Sequence, residues 1–177
     1  DDALLKALLG GGTVTKEMAL QVPTVSGGVD LIANVVASTP IKLYQDGGGK
    51  AKEVKNDPRL KILNDETGDT LNANEFWKAI VRDYYVGKGG YAYINLERGR
   101  FKSLHYVDEA QISIQRNTDP IFKDFDILVQ GRRYQPFQFL KILRNTKDGM
   151  VGTPITLENS KLIEVAYESL LFEGNMV

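Results

Sequence analysis

Residues Asn72 to Leu96, NANEFWKAIVRDYYVGKGGYAYINL, set a capped amphipathic helix, a glycine corner and a strand in that order. Phe76, Trp77, Ile80, Val81, Tyr84 and Tyr85 fall in adjacent pairs four residues apart, a broad apolar stripe at helical period. Asn72 suits the N-cap, and Glu75 three residues later completes the pattern of a capping box. Leu71 and Phe76 occupy the two positions of a hydrophobic staple. Gly87 is expected to close the helix in the left-handed conformation that glycine enters without steric cost. Tyr91, Ala92, Tyr93 and Ile94 then suit a strand.

That order bears on function. Gly87-Lys88-Gly89-Gly90 resembles a phosphate cradle in composition only. Phosphate loops run strand, glycines, helix, so that free N–H groups at the helix N-terminus face the anion. Here the glycines follow a helix, and a structural corner is the expectation. The helical spacing of Trp77, Tyr84 and Tyr85 likewise predicts core packing rather than a platform for stacking bases.

At 177 residues the chain can build one good core or two small ones. A formal net charge of −1 leaves no electrostatic footprint for nucleic acid. The absence of cysteine removes disulfides, thiolate metal sites and cysteine nucleophiles together, which fits a reducing compartment. Position 1 is Asp, and no signal-peptide pattern follows, so the numbering is expected to begin inside a longer gene product. Val22 to Ala37 is the longest apolar region, but it holds Asp30 and is shorter than the roughly 20 residues of a spanning helix. It reads as a buried or half-buried helix, with Pro23 in its first turn and Val25, Val29, Ile32 and Val36 on one stripe. Pro40 stops it.

Strands dominate the middle of the chain. Ile41 to Gln45 and Ala51 to Val54 form a predicted hairpin across Asp46 to Lys50. A short helix near Pro58 takes Asn56 or Asp57 as its cap and carries Leu60 and Leu63, and Asn64 to Asp69 is a polar turn. Tyr91 to Leu96 and Phe101 to Tyr106 pair across Arg98-Gly99. Gln111 to Gln115 alternates with Ile112 and Ile114 on one face. Ile127 to Val129 and Arg133 to Phe137 pair across Gln130-Gly131, and Leu140 to Leu143 is a short strand. A last helix is expected from Ile155 to Phe172, with Ile155, Leu162, Ile163, Ala166 and Leu170 toward the core. Gly10 to Gly12 and Gly47 to Gly49 are short linkers or turns. Helices first, antiparallel hairpins in the middle and a helix last predict an α+β fold.

Catalytic patterns are sparse. His105 is the single histidine, so a serine–histidine pair has one candidate base, and its place between Leu104 and Tyr106 suggests a surface or structurally satisfied imidazole. Asp65, Glu66 and Asp69 are the tightest acidic group, but their spacing departs from a calcium loop, and a solvated turn is expected. No GxSxG, HExxH, Walker or Rossmann signature occurs. Arg132, Arg133, Lys141, Arg144 and Lys147 form a mildly basic stretch too sparse for phosphate contacts; solvated hairpin edges are expected. No catalytic, cofactor-binding or metal-binding residue is assigned.

Three stretches together resemble a family. PTVSGGVDLIANVVASTPIKLYQ is similar to the N-terminal helix, Ser-x-Pro-like stop and strand of HK97-type tailed-bacteriophage portal proteins. DPRLKILNDETGDTLNANEFWKAIVRDYYVGKGGYAYINLERGRFKSLHYVD resembles their most recognisable run, in which a Pro-x-Leu helix leads into Asn-x-Glu-Phe-Trp and a hairpin rich in glycine and tyrosine. KDGMVGTPI resembles the turn that opens their next helix. The resemblance covers Val22 to Gly174. Gly27-Gly28, the lack of a Pro-Asn turn in Asn64 to Asp69, and Lys141 in place of a frequent histidine depart from the family pattern.

The resemblance implies a structural role and no enzyme activity or cofactor. Portals are rings, usually of twelve subunits, at one capsid vertex of the virion, assembled in the host bacterial cytoplasm. Their partners are other copies of themselves, the terminase large subunit, the major capsid or scaffold protein, head–tail adaptors, and double-stranded DNA passing non-specifically; no membrane is involved. The chain then resembles an N-terminal wing-region fragment: an arm with a short helix over 1–21, partly flexible, a wing-like α+β domain over 22–154, and a helix over 155–177 leading toward the stem and clip. Two other readings stand beside it. A carboxylate-dependent hydrolase using Asp65, Glu66 or Asp69 predicts a pocket where those groups converge. An unrelated small interaction module predicts one self-contained core without large exposed apolar surface.

Overall fold

The computed structural model describes residues 13–175. The linker expected at Gly10 to Gly12 and most of the predicted arm therefore lie outside the described residues. Within the arm, the Thr15 hydroxyl accepts from the Met18 N–H at 3.2 Å and caps α1 (Lys16–Gln21). Pro23 starts α2 (Pro23–Ser38), which packs against α1 and the later helix α4 (Ala73–Val86). The apolar stripe expected to be covered on α2 is covered in part. Val29 and Ala33 are buried, whereas Ile32 is 39% and Val36 42% exposed. The helices α1 and α4 shield one side of α2, and the wider stripe stays open.

A hairpin of β1 (Leu43–Asp46) and β2 (Ala51–Val54) stands apart from the other sheets, paired from Leu43 with Val54 to Asp46 with Ala51. Asp57 caps α3 (Pro58–Asn64), accepting from the Arg59 N–H at 2.9 Å. The Trp77 indole N–H donates to the Leu63 carbonyl at 2.8 Å and locks α3 to α4. At the start of α4, the Asn72 side chain accepts from the Glu75 N–H at 2.9 Å. The Glu75 carboxylate turns to Lys78 at 3.2 Å rather than back to the cap, so one half of the expected capping box is replaced by an ion pair one turn along.

Phe76, Ile80, Val81 and Val86 are buried on α4. Trp77, Tyr84 and Tyr85 are half-buried, the two tyrosines meeting edge-to-face at 4.9 Å. Gly87 differs from its expected left-handed conformation: its φ is −113°, and the positive φ of this corner falls on Gly89 at 148°. Space explains the residue choice. A Cβ on Gly90 would lie 2.7 Å from Ile80 Cγ2 and 2.8 Å from the Ile80 carbonyl oxygen, so the outgoing strand crosses the helix at backbone contact.

That strand, β3 (Gly90–Glu97), is central in a sheet with β4 (Arg100–Val107) on one side and β8 (Phe139–Ile142) on the other, both antiparallel. A second sheet runs β5 (Ile112–Arg116), β6 (Phe125–Val129) and β7 (Arg132–Tyr134). Arg98 and Gly99, like Gln130 and Gly131, all have φ between 48° and 80°, the signature of two-residue type I′ hairpins. The third hairpin's second strand is shorter than expected, because Pro136–Gln138 turns into a 3-10 helix.

Alternation along β3 joins the layers. Ala92 and Ile94 face Phe76, Ile80 and Leu104 in a helix-side cluster. Tyr91 and Tyr93 face Ile112, Ile127, Phe139 and Met150 in a cluster between the two sheets. The fold is therefore α+β, as expected, with three small antiparallel sheets. The C-terminal helix departs from expectation. It breaks at Asn159 into α5 (Ile155–Glu158) and α6 (Ser160–Asn175). Ile163 is buried against Val14, Ala19 and Val22, but Leu162 and Leu170 are 72% and 37% exposed. The six-residue α1 covers only one narrow stripe of α6.

Candidate functional site: a hydrogen-bonded interior and an open surface

The sequence-predicted groups separate rather than converge. Asp65 lines a pocket of about 260 Å³ with Ala37, Pro40, Asn64 and Trp77. The backbone of Glu66 pairs with that of Asn72 in an isolated antiparallel bridge, and the Asp69 side chain turns to His105. Among the described residues no group of three or more His, Cys, Asp or Glu side chains is placed to hold a metal ion. The turn they occupy is solvated as expected, with Asp65, Glu66 and Asp69 all exposed, and Thr67 pins it from within: it is buried and its hydroxyl donates to the Leu71 carbonyl at 2.5 Å.

His105 does have a serine and an aspartate as neighbours. Its Nδ1 lies 3.3 Å from Asp69 Oδ1 and its Nε2 2.8 Å from Ser103 Oγ. The order matches that of a nucleophilic triad. Sequence reading missed it, although the i, i+2 placement of Ser103 and His105 on one strand face was a usable signal. The surroundings do not suit a nucleophile. Ser103 is 5% exposed, and its Oγ already accepts from Asn95 Nδ2 at 2.9 Å. The Leu104 N–H beside it is engaged by the Thr67 carbonyl at 2.9 Å, so it is not free to stabilise an oxyanion. The arrangement straps the 65–72 turn onto β4.

The basic stretch divides: Arg132, Arg133 and Lys147 are exposed, as expected, whereas Lys141 and Arg144 are drawn into the fold. Arg133 pairs with Asp126 at 3.1 Å, and Arg144 pairs with Glu158 at 2.7 Å while donating to the Thr153 carbonyl at 2.9 Å. Lys141 donates to the Pro136 carbonyl at 2.7 Å, and burial lowers its pKa. Lys141 and Arg144 are half-buried clamps rather than the expected solvated edges. In the glycine corner, the Lys88 ammonium donates to the Ile112 carbonyl, and the Lys88 carbonyl accepts from the Gly152 N–H at 2.6 Å. Of the corner's N–H groups, that of Gly87 donates to the Asp83 carbonyl at 3.0 Å and that of Lys88 to the Glu109 carboxylate at 3.3 Å, so neither is turned toward an anion.

Among the described residues the most buried charge is Asp83, 2% exposed on the inner side of α4. It accepts from the Lys16 ammonium and, at 2.5 Å, from the Tyr106 hydroxyl, tying α1 to α4 and β4. Burial opposes the charge on Lys16, but the hydrogen bond and charge of Asp83 outweigh it and raise the pKa above the ordinary 10.5. Burial, then Asp83, raises Tyr106 well above 10.0, and burial, then the charges of Asp148 and Glu109, raises Tyr91. All three are held protonated in the folded state. Their contribution is complete below the unfolded-state values and is lost as pH rises through the folded ones. Thermal midpoints followed by circular dichroism between about pH 8 and about pH 11 are expected to fall above about pH 10, and less steeply in Tyr106→Phe. Equal slopes would show that Tyr106 is not linked to folding.

The outside of the molecule is open where the inside is satisfied. Leu31 and Val35 on α2, Leu162 and Phe172 on α6, and Ile121, Phe122 and Phe137 beside the second sheet are each more than 60% exposed. These side chains stand on separate elements and leave apolar area uncovered at each. Among the described residues no helix is long and apolar enough to cross a membrane.

Comparison with curated proteins gives no match. The family model for phage portal protein matches residues 23–175, from the start of α2 through α6, and the chain belongs to that family.

Proposed function

We propose that this chain is the wing-region part of a portal subunit, one copy in a ring, usually of twelve, through which DNA enters and leaves the capsid. The observation that carries the reading is the family match over 23–175, which takes in every element from α2 to α6. Membership in a structural, capsid-vertex family also sets the class of partner: further copies of the chain and other capsid components. Within that class the reading assigns the terminase large subunit, the major capsid or scaffold protein and head–tail adaptors as partners, with double-stranded DNA passing non-specifically. The site of action is the virion vertex, after assembly in the host cytoplasm. The reading divides the chain into an arm over 1–21, a wing over 22–154 and a helix over 155–177 leading to the stem.

The distribution of apolar surface supports this reading over a self-contained interaction module. A module that works alone is expected to bury its large apolar side chains, whereas Leu31, Val35, Leu162 and Phe172 are left exposed on two separate helices. The pocket that Asp65 lines includes neither Glu66 nor Asp69, which counts against the carboxylate-dependent hydrolase.

Light scattering and negative-stain electron microscopy of the full-length protein test the proposal. A closed ring is expected; a monomer across packing-like salt and protein concentrations would overturn it.

A further inference from the structure

A groove of about 920 Å³ lies between the start of α3 and the turn joining β3 to β4. Its rim holds Arg59, Arg98, Arg100 and Lys102 together with Asp57 and Glu97. Two of the cations are committed: Arg59 grips Asp57 at 2.7 Å, and Lys102 reaches Glu97 at 3.5 Å. Arg98 and Arg100 are exposed and have no carboxylate at ion-pair distance among the described residues. The groove thus offers two free guanidiniums beside the apolar surface of Pro58 and Phe101.

One face of α6 offers the opposite chemistry. Glu164, Glu168, Leu171 and Phe172 follow one another at i, i+4, i+7 and i+8, the spacing of a single helical face. Leu171 is 44% and Phe172 65% exposed. Glu168 is exposed, Glu164 is half-exposed, and neither meets a lysine or arginine among the described residues. Two carboxylates and two apolar side chains therefore stand on one helix, and two guanidiniums and two apolar side chains stand in one groove.

We propose that these surfaces meet between neighbouring copies of the chain, with α6 of one copy seated in the groove of the next. Glu164 and Glu168 accept from Arg98 and Arg100, for which the planar guanidinium fork is suited. Phe172 lies over Phe101 and Pro58. Because the two surfaces differ, the contact is heterologous, the type that closes into a ring when the rotation between copies divides a full turn. A helix carrying two carboxylates matches the two unpaired guanidiniums in number, whereas a phosphate backbone brings a continuous row of negative charge past Asp57 and Glu97. The inference rests on the ring proposed above and names the surfaces that build it.

The test uses the full-length protein in three forms: unaltered, Arg98→Glu with Arg100→Glu, and that pair combined with Glu164→Arg and Glu168→Arg. Sedimentation and electron microscopy give the concentration for half-assembly, and circular dichroism checks that each form is folded. The first pair is expected to raise that concentration at least about tenfold, and the charge swap to restore it. If the unaltered protein forms no ring, the portal reading itself fails. If the unaltered protein forms rings and the arginine variant assembles equally well, the groove is not an inter-subunit contact and this inference falls. Loss of assembly that the swap does not restore removes α6 as the occupant, which also overturns it. Normal assembly with weakened, salt-dependent binding to a DNA duplex would assign the groove to phosphates instead.

Discussion

Replacing Asp83 with alanine is expected to destabilise the protein by about 3 kcal/mol, the lower end of the range for breaking a buried charge pair. The carboxylate is 2% exposed and serves two donors, the Lys16 ammonium and the Tyr106 hydroxyl. Without it, a half-buried ammonium and a half-buried phenol lose their acceptor, and each then bears its own desolvation cost. The lower end applies because the Lys16 side chain keeps 23% of its surface in water. In a chain of this length the change corresponds to a fall of about 6–12 °C in Tm, readable by calorimetry. The combined change Asp83→Leu, Lys16→Met and Tyr106→Phe is expected to recover most of the loss, because it removes both charges and the orphaned hydroxyl and returns apolar volume. A loss below about 1 kcal/mol for Asp83→Ala would mean that water replaces the carboxylate at little cost.

A comparable effect is expected from Phe76→Ala, about 3–5 kcal/mol in urea denaturation. Phe76 is 1% exposed and lies edge-to-face with Trp77 at 4.9 Å. It closes the cluster of Ile80, Ala92 and Leu104 between α4 and the central sheet. The surrounding backbone has little room to collapse into the vacated space, because Gly90 already holds β3 against the Ile80 carbonyl. Phe76→Leu is expected to recover most of that loss. If Phe76→Ala cost no more than Phe76→Leu, the helix–sheet junction would be far more compliant than the Gly90 contact implies.

Much of this fold is legible in the sequence where local rules act alone. The stripe of α4, the Asn72 cap and the Arg98-Gly99 and Gln130-Gly131 turns are set within a few residues, and each forms as the pattern predicts. The misses share a physical cause, which is long-range packing. Asp83 sits in a helix whose polar positions look solvent-facing, and only Lys16 and Tyr106, 67 and 23 residues away, make its burial tolerable. Gly87 was expected to supply the positive φ, but the strand's approach to Ile80 moves the chain reversal to Gly89. Leu162 and Leu170 have helical spacing and no neighbour among the described residues wide enough to cover them. Ser103 and His105 share a strand face that their spacing marks, but Asp69 joins them only through a turn folding back across β4, which no local pattern encodes. The open surfaces are invisible for the same reason, since periodicity marks a face as apolar without naming what will cover it.

The three separate clusters of buried side chains have a consequence for how the molecule comes apart. The cluster of Val14, Ala19, Val22 and Ile163 shares no buried residue with the other two and holds α1 to α6 almost by itself. Its opening free energy is therefore set by a small apolar area and by the one ionic tether from Lys16, and it lies below that of the whole domain. Amide hydrogens of Lys16–Gln21 should exchange through this partial opening, well before those of β3. A subunit built in this way can release the helix Lys16–Gln21 while the central sheet stays intact, so rearrangement there does not require unfolding of the body.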